Sequence, residues 1–402
     1  MANPLTVLCI ASYEKGHEFL RECKRQGARV FLLTSLSLRD KAQWPMESLE
    51  DIFYMPDTDK AWNRNDTILA ISHLARTRDI DRIVPLDDFD LEMAASIREH
   101  LRCPGLGETG TRYFRDKLAM RVKALEAGLQ VPEFVHLLND SKVREFTERV
   151  PPPWVLKPRM MAGAIGIKKV NSTDELHRFD DALGDQRSFY LVERFVQGDV
   201  CHVDSIVYDN QIVFAVASRY GYPPIDVSQS GGIFTSQLLR RESEGSQALL
   251  TKNQRVLAGM GLQRGVSHTE FIEGGDGKLY FLETSARVGG AHIADLIEAA
   301  TGVNLWAEWA KVEIAGTNGR YEVPRPRDDY AALLVSLAKQ QSPDTSAYND
   351  PEIVWRMNKE HHIGLIVRSP RIERVRVLLD SYVDRVRRDF YSSEPPREKP
   401  SD

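Results

Sequence analysis

No run of about 18 apolar residues occurs in the 402-residue chain, so no membrane-spanning helix is expected. Basic residues are not in excess. With 53 Lys+Arg against 58 Asp+Glu the formal net charge is −5, which gives no electrostatic case for a nucleic-acid partner. Cysteine is scarce: Cys9, Cys23, Cys103 and Cys201 are scattered without a CxxC pair. They are expected as reduced, mostly buried thiols in a cytoplasmic protein. No motif sets a His or Asn beside Cys201, so packing rather than nucleophilic catalysis is expected there. The opening MANPLTVLCI lacks a basic n-region and runs straight into a strand pattern, so a signal peptide is not expected.

Several motifs are also missing. The turn after the first strand, ASYEKGHEF, has one glycine where G-x-G-x-x-G would be needed, which excludes a dinucleotide fingerprint. G-x-x-x-x-G-K-[ST] is absent, which excludes a P-loop. His268-x-Glu270 has the H-x-E form of zinc deaminases, but the P-C-x-x-C they need does not follow. His361 and His362 are adjacent, so on a strand they face opposite ways and make a poor metal pair.

What is present is a soluble globular composition, 42% hydrophobic and 28% charged, with length for two or three domains. Residues 5–10 form a continuous apolar run suited to a buried parallel strand. A helix over 17–26, a strand over 28–35, a helix over 68–77, a strand over 81–86 and a helix over 91–101 follow. This alternation predicts an open α/β domain. Residues 106–132 read as one helical stretch containing Lys117.

The most informative stretch is Gly265–Asp295. Two alternating runs, VSHTEFI and LYFLETS, flank GGDGK, a hairpin signal. Glu270 and Glu283 lie 13 residues apart (283 − 270), so a hairpin can bring them side by side. Facing carboxylates repel unless a cation stands between them, and hard oxygen ligands suit Mg²⁺. Arg287 follows, then Gly289 and Gly290, then a helix with Ile293, Leu296, Ile297 and Ala300 on its apolar face. Upstream, the strand WVLK ends at Lys157 and opens a small-residue loop, AGAIG, whose backbone can approach a polyphosphate. A strand into Glu193 and the connector RFVQGD can offer backbone groups to a purine, with Asp199 accepting from ribose hydroxyls. The loop around 219–235 contains Arg219, Tyr220 and Tyr222 and is long enough to contact a substrate. A strand pair within 353–369, a helix over 371–390 and a polar, Pro-rich, disordered tail from Ser392 complete the pattern.

These pieces, in this order, resemble the ATP-grasp superfamily over roughly residues 100–315. The motifs are Asp116-Lys117, Lys157 at 40 residues beyond (157 − 117), the small-residue loop, Glu193-Arg194-Phe195-Val196, Gly198-Asp199, Glu270 and Glu283-x-Ser285-x-Arg287. The resemblance implies an α+β ATP-grasp fold. A parallel α/β domain (1–110) would precede an ATP-grasp domain (111–320, lid about 116–190), and a small α/β subdomain (321–402) would close the chain. It implies that Lys117 and Lys157 bind ATP phosphates, and that the loop bearing Gly163 and Gly166 covers them. It implies that Glu193, Arg194, Val196 and Asp199 serve the nucleoside, with Asp199 one residue off the usual ribose acid. Glu270, Glu283 and Ser285 would hold Mg²⁺, or Mn²⁺, and Arg287 would stabilise the transferred phosphoryl group, with His268 orienting groups nearby. Ser285 departs from the family's usual Asn. A small residue there is more similar to L-amino acid ligases than to D-alanine–D-alanine ligases. The expected activity is ATP-dependent, ADP-forming ligation of a small-molecule carboxylate to an amine through an acylphosphate, with a homodimer left open. The alternatives are biotin-carboxylase-like carboxylation and a nucleotide sensor that has lost its chemistry.

Overall fold

The computed structural model describes residues 4–225, 227, 232–316 and 319–393. The tail beyond 393 and residues 226 and 228–231 of the expected substrate loop lie outside the described residues.

The chain opens as a four-stranded parallel sheet in the order Asp51–Met55, Arg29–Ser35, Thr6–Ala11, Arg82–Pro85. All six residues of Thr6–Ala11 are buried, because helices cover both faces of a parallel sheet and leave no polar side. The order reverses at Thr6–Ala11, and ligand crevices form at the carboxyl ends of strands flanking such a reversal. Lys15 and the Asp87-Asp88 pair lie just beyond those ends.

A second, antiparallel sheet runs Phe134–His136, Tyr190–Arg194, Trp154–Pro158, Lys168–Val170. The third sheet has eight antiparallel strands in the order Leu279–Ser285, Gly265–Gly274, Gly198–Tyr208, Gln211–Tyr220, Phe234–Leu238, Tyr330–Leu337, His362–Ser369, Ile353–Arg356. The last three strands come from the C-terminal stretch and extend the sheet that carries the glutamate hairpin. Parallel strands at the N-terminus and antiparallel sheets elsewhere make this a mixed α/β fold, as expected.

Side chains alternate along each strand of the eight-stranded sheet, so its two faces have different work. On one face Cys201, Val203, Phe271 and Phe281 pack under helices Lys117–Glu126 and Glu244–Met260. On the other, Val200, Ile206 and Val216 join a core shared with the first sheet and with helices Ile293–Thr301 and Leu305–Ala315. Among the described residues no helix is long and apolar enough to cross a membrane.

Two helical stretches differ from expectation. The stretch 106–132 splits into Glu108–Arg112 and Lys117–Glu126. Asp116 adopts an extended backbone and accepts from the Leu118 N–H at 3.0 Å, capping a new helix. The helix expected over 68–77 runs Arg64–Leu74, since Asn63 caps it through the Asp66 N–H.

Candidate active site

The hairpin sets the site. Glu270 and Glu283 are direct cross-strand partners, and so are His268 and Ser285. A register shift follows Glu270, a bulge of the kind that re-aims side chains beside functional sites. The pairing places all four side chains on one face of the sheet. That face forms the floor of a cavity of about 1110 Å³ between the three sheets.

Lys117, the first residue of its capped helix, reaches Glu283 Oε2 at 2.9 Å and donates to the Met161 carbonyl at 2.6 Å. It thereby ties the hairpin to the small-residue loop. Burial pushes the Glu283 carboxyl up, but Lys117 outweighs it, and the net shift is downward. Lys157, next to last in its strand, is buried and lies 2.6 Å from Glu193 Oε2. Burial lowers the Lys157 ammonium to about 8 against the opposing pull of Glu193. Arg121, one turn after Lys117 and fully buried, lies 2.6 Å from the other oxygen of Glu193 and donates to the Leu282 carbonyl. A single guanidinium therefore links the Glu193 strand to the glutamate hairpin.

The small-residue loop turns on left-handed backbone at Gly163 (φ 67°), Ala164 (φ 60°) and Gly166 (φ 73°). Gly163 and Gly166 adopt that conformation without a Cβ penalty. Gly163 lines the cavity, as do Arg194, Val196 and Asp199 across it. Arg194 donates to Glu133 at 2.5 Å and lies over the Tyr280 ring. Asp199 is exposed and pairs with Arg219 at 3.1 Å.

Arg287 does not stand alone. Its Nε donates to Asp88 Oδ2 at 2.8 Å and its Nη1 to the Val288 carbonyl at 2.8 Å. The Ser285 hydroxyl donates to the other oxygen of Asp88. Burial opposes ionisation of Asp88, but Arg287 and Arg115 overcome it and hold the carboxyl below the usual carboxylate range. Behind Glu270, Tyr220 donates to Glu270 Oε1 at 2.8 Å and lies 3.2 Å from His268 Nε2. His268 Nδ1 reaches Asp204 Oδ1 at 2.8 Å. Burial works against a charged His268, but Asp204 and Glu270 raise the imidazole to about 10.

Eleven of the thirteen residues named from the sequence therefore line one cavity. Gly166 supports the loop from outside the lining, and Ser285 is turned to Asp88. Of the candidates expected in a loop, Arg219 and Tyr220 instead end the strand Gln211–Tyr220; Tyr220 lines the cavity, Arg219 is held by Asp199 and Glu273, and Tyr222 is exposed. Sequence reasoning missed Asp88, Arg121, His202 and Asp204. The last two carried a signal: His202-x-Asp204 repeats, on the neighbouring strand, the alternation of His268-x-Glu270.

Residues 150–295 match the ATP-grasp domain model. The chain is 23% identical over 262 residues to the L-arginine-specific L-amino acid ligase of Bacillus subtilis, covering 61% of this chain and 63% of that protein. It is 22% identical over 279 residues to the alanine–anticapsin ligase of Bacillus subtilis (strain 168), covering 63% of this chain and 58% of that protein. It thus spans about six-tenths of the length of these curated relatives. The crystal structure of an L-amino acid ligase from Bacillus licheniformis superposes with a TM-score of 0.76 at 16% identity, over 98% of this chain and all of that one. The chain carries an ATP-grasp domain and has the ATP-grasp fold. Both of these relatives are named as ligases with an amino acid in the name.

Proposed function

We propose that this protein is an ATP-dependent, ADP-forming carboxylate–amine ligase that makes an amide or peptide bond. The observation that carries this reading is one cavity lined by Lys117, Lys157, Glu270, Glu283 and Arg287 within an ATP-grasp fold. The names of the relatives favour an amino acid as at least one substrate. The four free cysteines, three of them buried, fit a cytoplasmic location. The division expected from the sequence stands as part of the proposal: an α/β domain to 110, an ATP-grasp domain over 111–320 with a lid at about 116–190, and a C-terminal subdomain.

The donor chemistry fits Mg²⁺-ATP, with Mn²⁺ as the substitute cation. Glu270 and Glu283 are paired hard-oxygen donors beside the cavity, and the loop at Gly163 and Gly166 presents compact backbone near two lysines. The bound cation would neutralise charge on the phosphates. Lys117 and Lys157 bind phosphate oxygens, and Arg287, held in orientation by Asp88, meets the charge that develops on the transferred phosphoryl group. A substrate carboxylate oxygen attacks the γ-phosphorus, the bond to the β-phosphate oxygen breaks, and ADP leaves. A neutral amine then attacks the acyl carbon of the acylphosphate. Inorganic phosphate departs with the bonding electrons, and the amine's surplus proton passes to solvent. The scheme uses no protein nucleophile.

ADP and phosphate release should be measured with Mg²⁺-ATP against pooled amino acids, pooled other carboxylates and bicarbonate, with Glu283→Gln as control. Stimulation by an amino-acid or carboxylate pool, lost in the variant, supports the ligase. Stimulation by bicarbonate alone supports carboxylation instead, and nucleotide binding without turnover supports a sensor.

A further inference from the structure

We propose that Asp204, His268 and Tyr220 form a positioning relay that fixes the Glu270 carboxylate for a divalent cation, anchored at its inner end by His202 and Ser236. The inference rests on reading Glu270 as a cation ligand.

The relay is built from four neighbouring strands of the eight-stranded sheet. Asp204 is the cross-strand partner of His268, His202 of Glu270 and Tyr220 of Ser236. Strand alternation puts all six side chains on the cavity face. Asp204 is fully buried and accepts from two imidazoles, His202 Nδ1 at 2.7 Å and His268 Nδ1 at 2.8 Å. His202 Nε2 is paired with the Ser236 hydroxyl at 2.8 Å. Both ring orientations are therefore set by bonds on both sides, and His268 Nε2 is left facing outward. It meets the Tyr220 oxygen at 3.2 Å and Glu270 Oε1 at 3.4 Å.

Tyr220 has one hydroxyl hydrogen, and it points at Glu270 Oε1, 2.8 Å away. The tyrosine oxygen is then the acceptor for His268. One carboxylate oxygen of Glu270 is thus held by a chain of groups rooted in the core. Tyr220, His268 and Glu270 line the cavity, whereas Asp204, His202 and Ser236 lie behind them.

A separate segment of chain is shaped to admit the relay. A Cβ on Gly289 would lie 3.0 Å from both Asp204 Oδ1 and His268 Nδ1. Gly289 does not adopt a left-handed backbone, so what a side chain would meet there is crowding: Asp204 and His268 would have to give by a few tenths of an ångström. Groups that orient a metal's ligands without touching the metal typically account for 10–100-fold in metal affinity.

The test is Mn²⁺ binding in the presence of ADP, read from the free Mn²⁺ electron paramagnetic resonance signal. Wild-type protein, Tyr220→Phe, Asp204→Asn and Glu270→Gln are compared below their melting temperatures. Glu270→Gln should lose the site. Tyr220→Phe and Asp204→Asn should weaken Mn²⁺ by about 10–100-fold while leaving cation-free ADP affinity unchanged. Raised Mg²⁺ should return the turnover of Tyr220→Phe, which general damage to the fold would not allow. If Tyr220→Phe binds Mn²⁺ as the wild type does while Glu270→Gln does not, the relay is overturned and the ligand assignment stands. If Glu270→Gln also binds like the wild type, the ligand assignment fails and takes the relay with it. Tyr220→Phe removes only a hydroxyl, so it decides the matter should Asp204→Asn fail to fold.

Discussion

Asp88 accepts from Arg287 Nε at 2.8 Å across 199 residues of sequence, and its second oxygen holds the Ser285 hydroxyl. One carboxylate from the parallel α/β region thereby orients Arg287, the cation proposed to meet the phosphoryl group, and fastens that region to the glutamate hairpin. Asp88→Asn should lower kcat and destabilise the fold by about 3 kcal/mol, the scale for breaking a buried pair from one side. The sign of its pH dependence follows from the lowered carboxyl of Asp88. The pair's contribution is fully present above the unfolded carboxylate value of about 3.9 and is lost as pH falls through the lower folded value. Thermal melts between pH 3 and 7 should show the gap between wild type and Asp88→Asn closing only below about pH 4. A constant gap across that range contradicts the assignment.

Lys157 should impose a limit on the alkaline side. Burial brings its ammonium down to about 8, and the unfolded value is about 10.4. With the folded value the lower, the buried charge costs stability below pH 8, and that cost is relieved as pH rises from 8 towards 10.4. The phosphate binding proposed for Lys157 follows the opposite course, since it needs the charge. The kcat/KM for ATP should be flat below pH 8 and then fall towards about tenfold per pH unit. Lys157→Arg, charged throughout the range, should have a lower plateau and no such fall.

Arg121 is predicted to be structural to the site without touching substrate. It is fully buried, bonded to Glu193 and to the Leu282 carbonyl. Arg121→Met leaves Glu193 with Lys157 as its remaining buried partner and should cost about 3–5 kcal/mol. Chemical denaturation measures the loss, and Arg121→Lys should recover part of it. A variant as stable as wild type would show that Lys157 suffices for Glu193.

The glutamate pair was legible because its information is local. The turn GGDGK fixes the register of two alternating runs, and the register makes Glu270 and Glu283 partners. The parallel sheet was legible for the same reason, through continuous apolar runs such as residues 5–10. Asp88 was hidden because LDDFDLE reads as the acidic start of a helix; its partner Arg287 lies 199 residues on, just past the glutamate hairpin, and only tertiary packing brings them together. Arg121 was hidden among the charges of an ordinary helix, since nothing in KLAMRVKALE marks the turn that packs inward. The strand Tyr330–Leu337 was not assigned either. YAALLVSL is apolar on both faces, so it has no alternation to separate strand from buried helix.

The central claim is that a substrate carboxylate is activated by transfer of the γ-phosphoryl group. It is tested most directly with oxygen-18. Amino acids labelled in both carboxylate oxygens are incubated with Mg²⁺-ATP and the protein, and the released phosphate is analysed by mass spectrometry. Passage through an acylphosphate predicts one labelled oxygen in each phosphate formed, together with an amide product. Phosphate released without label, alongside an amide product, would contradict it.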